Sequence, residues 1–308
     1  MLLKFVAYFI THSNAILTDA AESIVNVLAS SFALYSIYLA GLPRDQNHPY
    51  GHGKVEFFSA FVEGALITIA GIVIITKSIF NIFYPHELSM ILEGSFIIGF
   101  TGLINGLLAW YLIKKGKSLN SLTLHADGKH LLTDAISSFG LVLGLLLIYF
   151  TKVIWLDSVI SISLGLYIIY NGYRLTRKSV GGLMDESDIN VIKEIINYLN
   201  QHRKEEWIDV HNLRTQRYGA EIHIDCHVTL PYYFDLNKVH HEVSEIDRVI
   251  NKNVNAGTEF FIHADPCIPQ CCHYCKLKNC EVRSEPQTKT IVWSLENVTK
   301  NHKHFEQS

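Results

Sequence analysis

Long apolar segments fill the first 183 residues of the chain, and shorter segments with mixed apolar and polar positions follow them. Five of the long segments reach the length of about 20 helical residues that crosses a hydrocarbon core of ~30 Å. They predict membrane-spanning helices at residues 15–41, 57–82, 92–113, 130–151 and 154–173. A shorter apolar segment, MLLKFVAYFI, begins the chain and lacks the basic region and cleavage site of a signal peptide. We predict it to be the end of a first helix whose start is missing.

The second half has the patterns of a small α+β domain. Apolar residues recur at helical spacing over residues 188–201 and 237–251. Alternation around Ile222 and Ile224 predicts β-structure within residues 213–229, and the segment EFFIH predicts a further short strand. The order helix, strand, strand, helix, strand indicates a sheet with helices on one face. The last residues, 284–308, are polar and predict a loose tail.

Charge density separates the two halves. Residues 1–183 contain 12 Lys/Arg and 10 Asp/Glu, whereas residues 184–308 contain 14 and 19. The predicted domains are therefore a transmembrane helical domain at 1–183, a soluble α+β domain at 184–283 and a polar C-terminal tail at 284–308. The net charge of -3 argues against nucleic acid as a partner, because nucleic-acid binding needs a basic surface.

Basic residues occur in alternate loops of the predicted bundle. They follow the second, fourth and last helices, at Arg44, Lys54, Lys114, Lys115, Lys117, Arg174, Arg177 and Lys178. The positive-inside rule places these loops and the soluble half in the cytoplasm. With six helices, an even number, both termini are expected on the cytoplasmic side.

Two predicted membrane helices contain polar residues in a repeated pattern. Residues 19–26 read DAAESIVN and residues 127–134 read DGKHLLTD. Because positions i and i+4 share one face of a helix, Glu22 with Asn26 and His130 with Asp134 form two polar stripes. Facing each other, the stripes would offer four N/O ligands to a divalent metal, and ionisable groups at membrane depth usually mark a substrate path. The first residues of the two segments, Asp19 and Asp127, are instead expected to lie near the starts of their helices, where a carboxylate is favourable. Glu56 and Glu63, in the third helix, are expected to line an interface or cavity.

A short loop and a run of cysteines offer two further candidate sites. The loop PRDQNHPYGHGKVE places Asp45, His48 and His52 within eight residues, which suits a metal site or a solvated loop. All six cysteines lie in the soluble half, where a cytoplasmic location disfavours disulfides. The run CIPQCCHYCKLKNC contains one C-x-x-C and offers a possible thiolate metal site, at Cys267, Cys271, Cys272, Cys275 and Cys280. The alternatives, which stay open, are inert free thiols and a metal-acquiring segment that feeds a transport path.

These motifs together resemble the cation diffusion facilitator family. The resemblance rests on HLLTD at 130–134 and its counterpart in the second helix, on the loop NHPYGHGKVE, and on HNLRT and FIHADPC in the soluble half. It covers the chain from residue 4 to about residue 266. The resemblance implies a homodimeric, proton-coupled exporter of divalent metals in a lipid bilayer. It also implies a membrane bundle of six transmembrane helices with a cytoplasmic ferredoxin-like α+β domain for metal binding and dimerisation.

The resemblance also implies positions for the sites. The transport site would be Glu22, Asn26, His130 and Asp134, between the second and fifth helices. The loop would hold an interfacial metal at Asp45, His48 and His52, and the soluble domain would hold metal at His211, His227, His240, His263 and Asp265. Lys54 and Asp185 match a charge pair that ties two protomers together in relatives. Glu22 and Asn26 depart from the usual pattern, which has His or Asp first and Asp second, so the resemblance leaves the metal preference open.

The sequence thus predicts a metal/proton antiporter of a bacterial inner or plasma membrane. Zn²⁺ is the first expected substrate, with Co²⁺, Fe²⁺, Mn²⁺ and Cd²⁺ open, and metal is also expected as a structural or regulatory ligand. His130 is the natural coupling residue, because an unperturbed imidazole titrates near working pH. The alternative is a membrane-bound metal sensor that uses the cytoplasmic His and Cys residues. An enzyme is not expected, since ligands divided between two helices with no HExxH-type motif do not suit a metalloenzyme.

Overall fold

The computed structural model describes residues 1–84, 88–118, 122–219, 221–253 and 258–307, apart from some side chains within helices. The chain forms two compact units. The first comprises residues 1–35 and 59–179, and the second comprises residues 36–58 and 180–308.

Residues 2–183 form six helices in the part of the chain that the structure describes. They are α1 (Leu2–Thr11), α2 (Asn14–Ala40), α3 (Val55–Phe83), α4 (Ile91–Ser118), α5 (Leu122–Thr151) and α6 (Trp155–Leu183). Two bounds differ widely from the prediction: α5 begins at Leu122 rather than near residue 130, and α6 continues to Leu183 rather than ending near residue 173. Hydropathy identifies only the apolar part of a helix, which suits the hydrocarbon core of a membrane. In α5 and α6, polar residues extend the same helix beyond that part.

Three helices are long and apolar enough to cross a membrane in the part of the chain that the structure describes. The apolar segments are Val55–Phe83, Ile91–Lys115 and Leu131–Thr151. Large apolar side chains such as Phe96, Leu107 and Phe150 are exposed on them. Such extensive apolar exposure suits a hydrocarbon environment rather than water. Helices α2 and α6, which are also predicted to span, are as long, with 27 and 29 residues.

Polar residues pair inside the first unit. The Lys4 ammonium lies 2.9 Å from an Asp19 carboxylate oxygen, and both side chains are buried. The Asp157 carboxylate accepts a hydrogen bond from the Ser13 hydroxyl and another from the Asn14 backbone N–H at 2.7 Å. The interpretation of Asp19 as a helix-start residue is therefore wrong. Helix α2 begins at Asn14, and Asp19 neutralises a buried cation from α1.

Helices α3 and α6 approach closely through paired glycines. A Cβ atom at Gly172 would lie 2.5 Å from the Thr68 hydroxyl oxygen and 2.8 Å from the Gly64 carbonyl oxygen. A Cβ atom at Gly64 would lie 2.8 Å from the Gly172 carbonyl oxygen. Small residues allow two helix backbones to pack this closely within a membrane domain.

We expect Gly172→Ala to lower the free energy of unfolding by about 1–3 kcal/mol, the usual cost of overpacking an interior. Thermal unfolding of the detergent-solubilised full chain measures the change. Gly140→Ala is the matched control, because no atom lies within 4 Å of a Cβ atom built there. Equal melting temperatures for the two variants would contradict the close approach of α3 and α6.

The second unit contains a three-stranded sheet with helices. Its elements are α7 (Ile189–Gln201), β1 (Asp209–Tyr218), β2 (Glu221–Leu230), α8 (Leu236–Asn253), β3 (Thr258–Pro266) and the short α9 (Leu295–Val298). The sheet order is β1-β2-β3, with β1 antiparallel and β3 parallel to β2. Apolar residues of α7 and α8, such as Ile195 and Ile246, pack in one core with Val210 and Ile224 of the sheet. The predicted order of helices and strands is confirmed.

The C-terminal segment is packed, so the prediction of a loose tail at 284–308 is wrong. Trp293 is 2% exposed and belongs to the same core, as does Val298 of α9. The Arg203 guanidinium lies 3.9 Å from the centre of the Trp293 ring, and the His304 side chain hydrogen-bonds to buried Asp209. The prediction failed because average polarity hides a few well-spaced anchors, each of which buries a large side chain.

Candidate metal sites

The candidate transport site lies between α2 and α5. The Asn26 side-chain amide donates a hydrogen bond to an Asp134 carboxylate oxygen at 3.4 Å. Glu22 lies one turn before Asn26 on α2, with Asp134, Asp19 and Lys4 as its charged neighbours. The structure therefore brings Glu22, Asn26 and Asp134 into one polar region. The side chains of His130 and Asp127 lie outside the described residues, and α5 begins five residues before Asp127.

Asn26 and Asp134 line an open cavity of about 780 Å³. Lys4, Thr101 and Asn105 provide further polar groups at its walls. Glu22 borders a different and much smaller cavity, together with Asp19 and Tyr167. Sequence reasoning missed Asn105 of α4, although an amide in the apolar run LINGLLAW was a visible signal. It also missed Lys4, because a single lysine near the chain start suggests a surface position.

The loop between α2 and α3 brings Asp45, His48 and His52 together. A His48 ring nitrogen (Nδ1) lies 3.0 Å from one Asp45 oxygen, and the His52 Nε2 atom lies 3.4 Å from the other. The two imidazole rings are 4.3 Å apart. Backbone N–H groups of His48 and Asn47 donate to Asp45, and the hydrogen bonds from His48 hold the pKa of this carboxyl below its ordinary value. An ionised carboxylate beside two imidazoles is a suitable ligand set for a divalent metal.

The flanks of this loop are anchored to the sheet within the second unit. The Arg44 guanidinium lies 3.0 Å from carboxylates of both Glu221 in β2 and Glu259 in β3. Tyr50 stacks on Tyr218 with ring centres 5.6 Å apart. Its ring also meets the edge of His223. These contacts restrict the position of the loop, and so of its three candidate ligands.

The predicted charge pair between Lys54 and Asp185 forms within a single chain. The Lys54 ammonium lies 2.9 Å from an Asp185 carboxylate oxygen. It also lies 4.8 Å from the centre of the Tyr218 ring. The sequence expectation placed this pair between two protomers, whereas here it joins the start of α3 to the residues after α6.

A second cluster of candidate ligands forms across the sheet. His211 of β1 pairs in register with His227 of β2, which pairs in turn with His263 of β3. An Asp265 oxygen lies 3.4 Å from His211 Nε2 and 3.4 Å from His227 Nδ1. The His263 Nε2 atom lies 3.5 Å from the other Asp265 oxygen. Three strands thus bring three imidazoles to one carboxylate.

His240 does not join this cluster in the described structure. It lies in α8 with an exposed side chain, outside the group formed by His211, His227 and Asp265. Burial lowers the pKa of His211 below its ordinary value, against the opposing effect of Asp209 and Asp265. A low pKa favours the neutral imidazole, the form that binds a metal.

The cysteines divide into one core residue and one group. Cys226 lies in β2 and is buried in the main core of the second unit. The other five line a single cavity of about 460 Å³, and all six are free thiols. Burial raises the pKa of Cys275, whereas at Cys272 hydrogen bonds from Ser284 outweigh burial and lower it.

Two family models match successive parts of the chain. The model described as the cation efflux transmembrane domain matches residues 1–184. The model described as the cation efflux protein cytoplasmic domain matches residues 186–267. The chain belongs to the cation diffusion facilitator family. The predicted family is therefore confirmed, and so is the fold class of a membrane helical bundle followed by a cytoplasmic α+β domain.

Individual relatives in the family cover most of the chain. An uncharacterized transporter of Synechocystis is 33% identical over 264 residues, which cover 86% of this chain and 85% of the relative. A cadmium, cobalt and zinc/H⁺-K⁺ antiporter of Bacillus velezensis is 24% identical over 255 residues, 80% of each chain. The cation-efflux pump FieF of Salmonella agona is 24% identical over 273 residues, 87% of this chain and 88% of the relative. Members of the family are integral membrane proteins that transport divalent metal cations, and it is a family of transporters rather than enzymes.

We expect His211→Ala to weaken zinc binding by the cytoplasmic domain at least ~10–100-fold, the range for loss of even an outer-shell partner of a metal ligand. Isothermal titration of the purified full chain with Zn²⁺ measures this. His241→Ala is the matched control, because His241 is exposed on α8 and lies outside the cluster. Identical zinc affinities for the two variants would rule out His211 as a ligand.

Proposed function

We propose that the protein exports divalent metal cations from the cytoplasm in exchange for protons, and that it holds the metal between α2 and α5. The main support is the hydrogen bond between Asn26 and Asp134, which joins the two helices beside an open cavity. Ionisable groups at membrane depth are costly and are retained mainly on substrate paths. Family membership supplies the class of substrate.

The proposed ligands are Glu22, Asn26, His130 and Asp134. Two carboxylates, one amide and one imidazole make an oxygen-rich set with two potential negative charges. Such a set balances the charge of a divalent cation when both carboxylates are ionised. Zn²⁺ is the first proposed substrate because its ligand geometry is permissive, with Co²⁺, Fe²⁺, Mn²⁺ and Cd²⁺ as further candidates. Asn26 is neutral and binds weakly, so it is the residue that we expect to tune the preference among these metals.

The contact between Asn26 and Asp134 has a direct consequence for binding. An amide that donates its N–H to a carboxylate keeps its carbonyl oxygen as an acceptor. A metal placed between α2 and α5 would therefore compete with the Asn26 amide for Asp134, and then draw on the amide oxygen instead. This exchange replaces one favourable partner of Asp134 with another, so the carboxylate is paired in both states.

Proton coupling follows from the chemistry of the ligands. Carboxylates and imidazole bind a metal only when deprotonated, so protons and metal compete for the same groups. In the proposed cycle, metal enters from the cytoplasm, the helices rock to open the site outward, and incoming protons displace the metal. His130 is the proposed coupling residue. The reset site then carries protons back to the cytoplasmic side.

The remaining assignments extend the same proposal. The loop residues Asp45, His48 and His52 form a second metal site. The cytoplasmic cluster forms a third, with His211, His227, His263 and Asp265 as ligands and His240 as a further candidate. The protein functions as a homodimer in a bacterial inner or plasma membrane, with both termini in the cytoplasm and protons as the counter-substrate. Binding at the cytoplasmic sites would report the metal concentration to the transporter.

We expect Asp134→Ala to reduce metal transport to background, because it removes a ligand shared by metal and proton. We expect Asn26→Asp to retain transport and to change the order of preference among Zn²⁺, Cd²⁺ and Co²⁺, since it replaces a neutral ligand with an anionic one. Uptake into proteoliposomes with each metal measures both effects. Glu93→Ala is the control, because Glu93 is an exposed carboxylate in the first turn of α4. Full transport by Asp134→Ala would exclude the proposed site.

We also expect transport to require a proton gradient of the correct direction. Proteoliposomes with an acidic lumen should accumulate Zn²⁺ through transporters whose cytoplasmic side faces the external medium, and collapse of the gradient with a protonophore should slow this uptake. Equal rates with and without the gradient would contradict antiport. A chain that binds metal at its cytoplasmic sites yet transports none under any gradient would instead be a metal sensor.

A further inference from the structure

The cysteine segment after β3 is a part of the cytoplasmic domain that the proposed transport function leaves unused. Five of its cysteines fall within fourteen residues and line one cavity of about 460 Å³. The other walls are largely apolar and include Ile208, Pro231 and Leu277. Sulfur is therefore the main chemical functionality that this cavity presents. All of these thiols are free.

The segment is ordered although residues 274–293 contain no helix or strand. The Arg283 guanidinium donates hydrogen bonds to the backbone carbonyls of Cys272, Cys275 and Leu277 at 2.6–3.2 Å. The Cys267 backbone N–H donates to the Leu230 carbonyl at 2.8 Å, which attaches the segment to the end of β2. Its own apolar core is small, and small loop-rich segments of this kind are commonly stabilised by disulfides or by a structural metal.

Three of the other four cysteines, Cys267, Cys272 and Cys280, are neighbours of Cys275. Cys267 also has Cys271 and Cys272 as neighbours. Cys271 and Cys275 are both buried in the small core, but the Cys271 sulfur already accepts a hydrogen bond, at 3.4 Å, from the Tyr274 hydroxyl, which also donates to Asp209. Cys275 of the C-x-x-C pair thus has one neighbouring cysteine from each end of the segment, Cys267 and Cys280.

We propose that Cys267, Cys272, Cys275 and Cys280 form a tetrathiolate site for a soft divalent cation, Zn²⁺ or Cd²⁺. Four thiols coordinate one ion through four metal–sulfur bonds and release four protons to solvent, which leaves a complex with a charge of about -2. The Arg283 guanidinium, held against the carbonyls of the segment, offsets part of this charge. The site is distinct from the His and Asp cluster at the end of the sheet and does not depend on transport.

Binding of one metal ion would require a particular arrangement of the four sulfur atoms. Sulfur atoms around a tetrahedral zinc lie ~3.8 Å apart, given Zn–S bonds of ~2.3 Å. In the described structure no three of these sulfurs lie within 4.8 Å of one another, unlike the ligand atoms of the two His and Asp groups. A χ1 rotation moves the sulfur of a cysteine, and all four of these cysteines line the same cavity. Metal binding would therefore change side-chain rotamers while the backbone, already held by Arg283, keeps its course.

A cadmium titration of the full-length, reduced and metal-free protein tests the proposal. Thiolate ligands give Cd²⁺ an ultraviolet charge-transfer absorption that His and Asp ligands lack, so the band reports this site alone. We expect the band to rise and saturate in the wild type, and to be lost in the double variant Cys272→Ser/Cys275→Ser. Cys226→Ala is the matched control, because Cys226 is buried in the main core and lies outside the cavity. It should retain the full band.

The outcomes are separate from those of the transport experiments. The absence of the band in the wild type, or an unchanged band in the double variant, would overturn the proposal. If the double variant fails to fold, Cys280→Ser decides, since this half-buried cysteine lies at the edge of the segment. We expect the single variant to weaken Cd²⁺ binding at least tenfold. An affinity equal to that of the wild type would exclude Cys280 and with it the four-sulfur site.

Discussion

Pairing of polar groups within the helical bundle is the constraint on which the rest of the transmembrane domain depends. A charged side chain away from water is tolerated only when a partner satisfies it. Lys4 and Asp19 neutralise each other's charge, and Asp157 accepts hydrogen bonds from Ser13 and the backbone of Asn14. These pairs join α1 to α2 and the start of α2 to α6. They fix the helices that carry Glu22 and Asn26, so a fixed polar frame surrounds the proposed transport site.

The two compact units contain different kinds of support for their candidate ligands. In the helical unit the ligands lie on long helices, one turn apart, and their positions follow from helix packing. In the second unit the loop group depends on Arg44, Tyr50 and Lys54, whose partners lie in the sheet and after α6. A metal in this loop would therefore be held by residues that are already anchored. Preorganisation of this kind lowers the ordering cost of binding.

The long apolar helices and the order of elements in the cytoplasmic domain were predictable, because local periodicity reports them directly. The true start of α5 and the end of α6 were not, because nothing in hydropathy marks a polar continuation of a helix. Asp19 was misinterpreted because its partner Lys4 lies fifteen residues away on another helix. The packing of the C-terminal segment was also not predictable, because it depends on contacts of Trp293 with α7 and of His304 with β1, which lie far away in the sequence. Among the candidate ligands of the cytoplasmic domain, motif resemblance indicated the histidines, but only the strand register separates His211, His227 and His263 from His240.

The register across the sheet carries one more consequence. His227 lies in the central strand, with His211 and His263 directly beside it, and side chains of a strand alternate between its two faces. A single-residue insertion or deletion in β2 would turn His227 to the opposite face and bury it against the core. The register of the cluster therefore depends on the length of the central strand, whereas a change in the length of a surrounding loop would leave the register unchanged. A shift of one residue in β2 would therefore separate His227 from both of its neighbouring histidines at once.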